Sequence, residues 1–301
     1  MAMAVAHPAR STSVKAKVRA YYELTKPGIT LMVVLSAAAG YILALPEGPR
    51  GLGVRIDHFL FTLMGILLVS GGSGALNHYT EWVTDRLMSR TRHRPIASGV
   101  LAPRQGLVWG IVLCFLGLGV LLFVDFVVLL LATVTIVTYL VVYTPMKRLS
   151  PAALFVGAVP GALPVAGGWI AASGIGWGAG LVFLLLYFWQ LPHFLALSWL
   201  YRKDYAQAGF PMAAVLDTEG RWVGWQLVIS SALLWVVSVL LGIFLRGSEL
   251  FVVGMAALSL WLVLTSVGFL WHPTFVAARR VLRSAYVYLF GFVALALLAR
   301  I

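Results

Sequence analysis

Charge and cysteine are both scarce in this 301-residue chain. Only 11% of its residues are charged, against 61% hydrophobic, and the mean hydropathy is +0.95. No soluble domain of this size needs so much apolar surface. Apolar runs of span length recur instead, which predicts an all-α, polytopic membrane bundle. The single cysteine, Cys114, excludes an intrachain disulfide and any cysteine-built metal site. No low-complexity tract is present. The net charge of +12 and pI near 10.2 would suggest nucleic acid in a soluble protein. In a membrane protein they fit basic cytoplasmic loops, so no nucleic-acid partner is expected and the lipid bilayer is.

What is present is nine apolar stretches. They predict helices at 29–46, 58–77, 106–123, 126–144, 152–173, 177–200, 222–245, 250–271 and 283–299. Residues 1–28 read as a basic tail and 29–301 as one membrane-embedded domain. Arginine and lysine sort by side. The tail and the 78–105, 145–151, 201–221 and 272–283 loops hold 18 of the 22. The positive-inside rule then puts the N-terminus and these loops in the cytoplasm and the C-terminus outside.

The densest polar stretch follows the second apolar run. Asn77, Glu81 and Asp85 recur every fourth residue, so on a helix they share one face. Mg²⁺ takes oxygen ligands, commonly one or two carboxylates with substrate phosphates. Arg90, Arg92 and Arg94 follow, suited to phosphate oxygens. The same pattern also fits a solvated juxtamembrane helix with i,i+4 ion pairs. A second loop, Tyr201-Arg202-Lys203-Asp204-Tyr205, again joins base, acid and hydroxyl, with Asp204 as a second candidate ligand. Alone it reads equally as a surface loop. Tyr143-Thr144-Pro145-Met146-Lys147-Arg148 ends the fourth helix with two cations, as an anchor or as part of the same face. Glycines and prolines from Gly157 to Gly168 predict a fifth helix buried in the bundle. Gln190 and His193 are intramembrane polar groups, either packing residues or ligands. Nearby aromatics would wall a carbocation or form an interface belt.

The run Asn77-x3-Glu81-x3-Asp85-x2-Met88-x-Arg90-Thr91-x2-Arg94-Pro95 resembles the first acidic motif of the UbiA-type intramembrane prenyltransferases. Thr25-Lys26-Pro27, Tyr143-Thr144-Pro145-x-Lys147-Arg148, Pro192-His193-Phe194 and Asp204-Tyr205-x3-Gly209-x-Pro211-Met212 extend the resemblance from about residue 20 to the end. Within the family, the Arg-Thr-x-x-Arg-Pro and Tyr-Thr-Pro-x-Lys-Arg blocks are most similar to the haem O synthase branch. The chain departs from the wider pattern in three places. Glu81 stands where aspartate is commoner. Tyr201 and Tyr205 stand where many members have a pair of aspartates. Gly28 stands where an arginine was expected.

The resemblance implies farnesyl transfer from farnesyl diphosphate to the 2-vinyl group of haem B, with water addition, giving haem O and diphosphate. It implies Mg²⁺ on Asn77, Glu81, Asp85 and Asp204, with Arg90, Arg94, Lys147 and Arg148 completing the catalytic set. Lys26, Tyr143, His193, Tyr201, Arg202, Lys203 and Tyr205 would bind substrate, with His193 at the haem. The setting implied is a bacterial inner membrane, with haem A synthase or terminal-oxidase assembly as a further partner. Competing expectations are a quinone-precursor or chlorophyllide acceptor, a transporter, whose site should lie nearer the midplane, and a structural subunit of a respiratory complex.

Overall fold

A computed structural model describes residues 13–45, 55–246 and 249–299; residues 1–12 of the expected tail, residue 46 of the first expected helix and the last two residues lie outside them. Among the described residues the regular structure is helical throughout. The membrane-length helices are α3 (Ile56–Asp85), α4 (Pro103–Leu122), α7 (Ala153–Ser173), α8 (Trp177–Leu200), α11 (Arg221–Phe244), α12 (Glu249–Trp271) and α13 (Phe275–Leu298). The span Phe126–Met146 is composite, made of α5 (Phe126–Val137), a π-helical turn Thr138–Tyr143 and α6 (Thr144–Met146). Another is bent: α1 (Val14–Leu24) meets α2 (Pro27–Leu43) at 44°. Among the described residues eight helices qualify as spans, or nine with the bent pair, so the protein is a multi-pass membrane protein.

The bend follows from sequence. A residue before proline is disfavoured in the right-handed α region. Lys26 precedes Pro27 and takes φ 49°, the left-handed region, breaking the helix there. From Val14 onward the basic stretch is helical. Ala20 and Leu24 pack with Ala75 of α3, Ile96 and Leu101.

α3 packs most extensively on α4. A Cβ on Gly72 would stand 2.8 Å from the Gly110 carbonyl oxygen, so the two backbones meet because both residues are glycine. Two helices outrun their sequence expectation. α3 continues eight residues past 77, and α13 starts at Phe275 rather than 283. The expected 201–221 loop carries α9 (Arg202–Gln207) and α10 (Ala213–Leu216). A core of α8, α11, α12 and α13 side chains joins α2, α5 and α7 around Val165, Leu185, Leu227, Phe269 and Phe292.

Candidate active site

The last two turns of α3 carry Asn77, Glu81 and Asp85, buried at 2%, 3% and 0% exposure. Buried carboxylates need partners, because an unpaired charge out of water costs several kcal/mol. Each partner comes from elsewhere in the chain. Arg94 Nη1 donates to both Asp85 oxygens at 2.8 Å. Lys147 Nζ lies 3.1 Å from Glu81 Oε1. Lys26 Nζ donates to Asn77 Oδ1 and lies 3.5 Å from the Tyr139 hydroxyl. The acid row is therefore a charge-balanced rim and not a solvated helix end. Burial alone would push the Lys147 pKa down; the Glu81 carboxylate together with Tyr143, Tyr205 and Tyr139 outweighs it, and the pKa ends above the ordinary lysine value.

The segment after Asp85 folds back over the rim. The Thr91 hydroxyl donates to the Asp85 carbonyl at 3.0 Å, and Arg86 Nε to the Ala97 carbonyl at 2.9 Å. Asp204 closes the two loops on each other. It accepts the Ser89 hydroxyl at 2.8 Å on both oxygens and the Arg90 N–H at 3.2 Å. Below this contact Met88, Tyr205 and Phe210 form a small core. The Arg90 guanidinium lies over the Tyr201 ring, 5.1 Å from its centre.

Under the rim lies a cavity of about 680 Å³, walled by α2, α3, α5, α7, α8 and α13. Lys26, Arg90, Tyr139 and Tyr143 line its mouth; Ile66, Val69, Val128 and Leu163 line it further in. A charged, oxygen-rich mouth above an apolar chamber suits an amphiphile with an anionic head. Gln190 and His193 both line it. Gln190 Nε2 ties α8 to the Ala158 carbonyl at 3.2 Å. The His193 ring stacks on Trp189 at 5.2 Å and meets Tyr286 edge-on at 5.1 Å. Its Nδ1 is buried with no hydrogen-bond partner.

Of the residues expected from sequence, Lys26, Asn77, Glu81, Asp85, Arg94 and Lys147 come together at the rim, with Arg90, Tyr143 and His193 on the chamber wall. Arg148, Arg202 and Lys203 are exposed. The Arg202 guanidinium lies over Trp199 at 4.3 Å. Tyr205 is spent in the small core, and Asp204 is held by the Ser89–Arg90 corner. Among the described residues, no cluster of three or more His, Cys, Asp or Glu side chains could hold a metal. The oxygen set of Asn77, Glu81 and Asp85 still has the chemistry a hard divalent cation takes, with two carboxylates and an amide on one face. Tyr139 was missed. It stacks on Tyr143 at 5.6 Å between ring centres, and the π-helical turn brings both rings to the chamber. A tyrosine one turn before Tyr143 was its only signal, and π-bulges gather at functional sites.

Fold and rim together define a helical membrane protein built to hold an anionic head group over an apolar tail. Residues 33–290 match the model of the UbiA prenyltransferase family. The protoheme IX farnesyltransferase of Salinibacter ruber is 40% identical over 279 residues, 92% of this chain and 97% of that protein. The protoheme IX farnesyltransferase of Solibacter usitatus is 36% identical over 277 residues, 90% and 95% of the two chains. Among solved structures, a digeranylgeranylglyceryl phosphate synthase shares the fold with TM-score 0.77 at 16% identity, over 93% of this chain and 98% of that one. A UbiA homologue from Archaeoglobus fulgidus bound to GPP and Mg²⁺ has TM-score 0.62 at 13% identity, over 92% and 99%. The chain belongs to the UbiA prenyltransferase family.

Proposed function

We propose that this protein transfers a farnesyl group from farnesyl diphosphate to the 2-vinyl group of haem B, giving haem O and diphosphate. The observation that carries the reading is the rim of paired acids and bases over an apolar chamber. Protoheme IX farnesyltransferases that match nearly the whole chain supply the acceptor.

Asn77, Glu81 and Asp85 are the residues that would hold Mg²⁺, which supplies charge neutralisation for the diphosphate. Lys26, Arg90, Arg94 and Lys147 receive the remaining negative charge, which grows as the allylic C–O bond breaks and its electron pair leaves on the diphosphate. Stabilising charge where it develops is where rate is gained. The faces of Tyr139 and Tyr143 favour the allylic cation at the chamber mouth. The vinyl terminal carbon attacks that cation, water adds to the cation left beside the pyrrole, and a proton is released. His193, whose buried Nδ1 has no partner, contacts the haem. Asp204 acts in this reading through the Ser89–Arg90 corner, and its service as a second magnesium ligand requires that corner to open.

The test is product mass after incubation with haem B, farnesyl diphosphate and Mg²⁺. Haem B plus farnesyl plus hydroxyl (the added water less its released proton) is expected, and recovery of unmodified haem B would sink the reading. In the same preparation His193→Ala is expected to weaken haem binding about tenfold, by absorbance titration, and to leave farnesyl diphosphate binding within about threefold. Unchanged haem affinity would remove His193 from the haem contact.

The sidedness of basic loops supports a rim in the cytoplasm, and the bacterial relatives support an inner-membrane setting. Haem A synthase or the oxidase assembly machinery is the partner that product transfer would call for. A tag before residue 13 is expected to be protected from outside reagents and a tag after Ile301 to be reached by them. Both tags on one side would give an even number of spans.

A further inference from the structure

The chamber extends well past the reacting end. Ile66 lies eleven residues before Asn77 on α3, about 16 Å deeper at helical rise. Gly167 lies ten residues beyond Gly157 on α7, about 15 Å deeper. Val128 lies fifteen residues before Tyr143, about 20 Å deeper. Val128, Gly167 and Ile66 therefore line the end away from the rim.

The α7 glycines on this wall are not equivalent. A Cβ on Gly157 would stand 2.5 Å from the Tyr143 ring, and one on Gly161 would collide with the Gln190 amide. Those two positions are glycine to seat neighbouring side chains. A Cβ on Gly167 would meet only Val128 Cγ1, at an ordinary 3.8 Å. A side chain fits there, and the chamber has the space instead. The backbone under the opposing Val128 is anchored: its N–H and that of Val127 donate to the Asp125 carboxylate at 3.1 and 2.8 Å, capping α5. Space at one residue facing a branched side chain on an anchored backbone is the geometry of a length stop.

We propose that the Gly167–Val128 pair is the stop that sets which prenyl chain length this protein accepts, an inference that rests on the prenyl-transfer reading above. The space at Gly167 admits the terminal isoprene unit of a farnesyl chain, and Val128 turns away the next unit. A single methylene too many in an apolar pocket discriminates by about 10–200-fold.

The test compares geranyl, farnesyl and geranylgeranyl diphosphates on purified wild type, Gly167→Leu and Val128→Ala. Their relative affinities are read by competition binding without haem, and their transfer rates with it. Gly167→Leu is expected to lose farnesyl diphosphate affinity about tenfold or more while geranyl diphosphate changes less than about threefold. Val128→Ala is expected to move the other way, improving geranylgeranyl relative to farnesyl diphosphate about fivefold or more. Equal losses for all chain lengths in Gly167→Leu, or an unaltered order in Val128→Ala, would overturn the proposal. The binding order is read without acceptor, so failed haem farnesylation would count against the acceptor and leave the length test intact.

Discussion

Asp85→Asn is expected to lower farnesyl transfer by about 10²–10³-fold or more, the scale of losing one preorganised electrostatic contact in a water-poor site. Asp85 has no exposed surface and is gripped by Arg94 through both oxygens. Asparagine keeps its shape but loses the charge that anchors the cation and balances the guanidinium. The second defect has a cost of its own. Leaving one partner of a buried pair uncompensated destabilises by about 3–5 kcal/mol. Stability and activity must therefore be separated. Asp85→Asn with Arg94→Gln removes the pair as a unit, and is expected to recover thermal stability but not turnover. Chelation of Mg²⁺ from wild type is expected to reproduce the activity loss without the stability loss. Full turnover of Asp85→Asn at low Mg²⁺ would sink the assignment of Asp85 to the metal.

The acid row was legible because a four-residue spacing is a purely local helical signal. Its surroundings were not. Hydropathy ends α3 near residue 77, since isolated acids read as water-facing. The helix runs to Asp85 because Lys147, 66 residues away, and Arg94 neutralise those acids. Partners at such separations leave no periodic trace. The start of α13 was misplaced for the opposite reason. Arg279, Arg280 and Arg283 resemble loop, yet they are exposed on the helix's first turns, where long basic side chains can reach the interface.

Motif reading also grouped residues that the fold separates. Arg202 and Lys203 flank Asp204 in sequence, but α9 leaves both exposed and turns Asp204 toward Ser89, 115 residues away. Ser89 was passed over because a serine among arginines carries no chemistry of its own until its acceptor is known. Tyr139 was hidden by a departure from α geometry that ordinary helical spacing does not anticipate.

Lys147→Met is expected to lower farnesyl transfer by about 10²-fold or more and to raise KM for farnesyl diphosphate, because it removes a charged donor from the phosphate end. Lys147 is closely surrounded at the rim. Its ammonium lies 3.1 Å from Glu81, 5.0 Å from the Phe210 ring centre and 5.9 Å from that of Tyr143. Two roles fit that placement. As counter-ion it keeps the buried Glu81 ionised; as phosphate ligand it shares its donors with an incoming anion. Inorganic pyrophosphate separates them, since it carries the head group without the tail. If Lys147 binds the head group, Lys147→Met weakens pyrophosphate inhibition in step with the rise in KM, and Lys147→Arg, which keeps the charge in a different shape, recovers part of both. If Lys147 only balances Glu81, pyrophosphate inhibition of Lys147→Met stays at the wild-type level, and adding Glu81→Gln is read for stability alone, which it restores. That second outcome would remove Lys147 from the diphosphate site and leave Lys26, Arg90 and Arg94 as the cations that meet the leaving group.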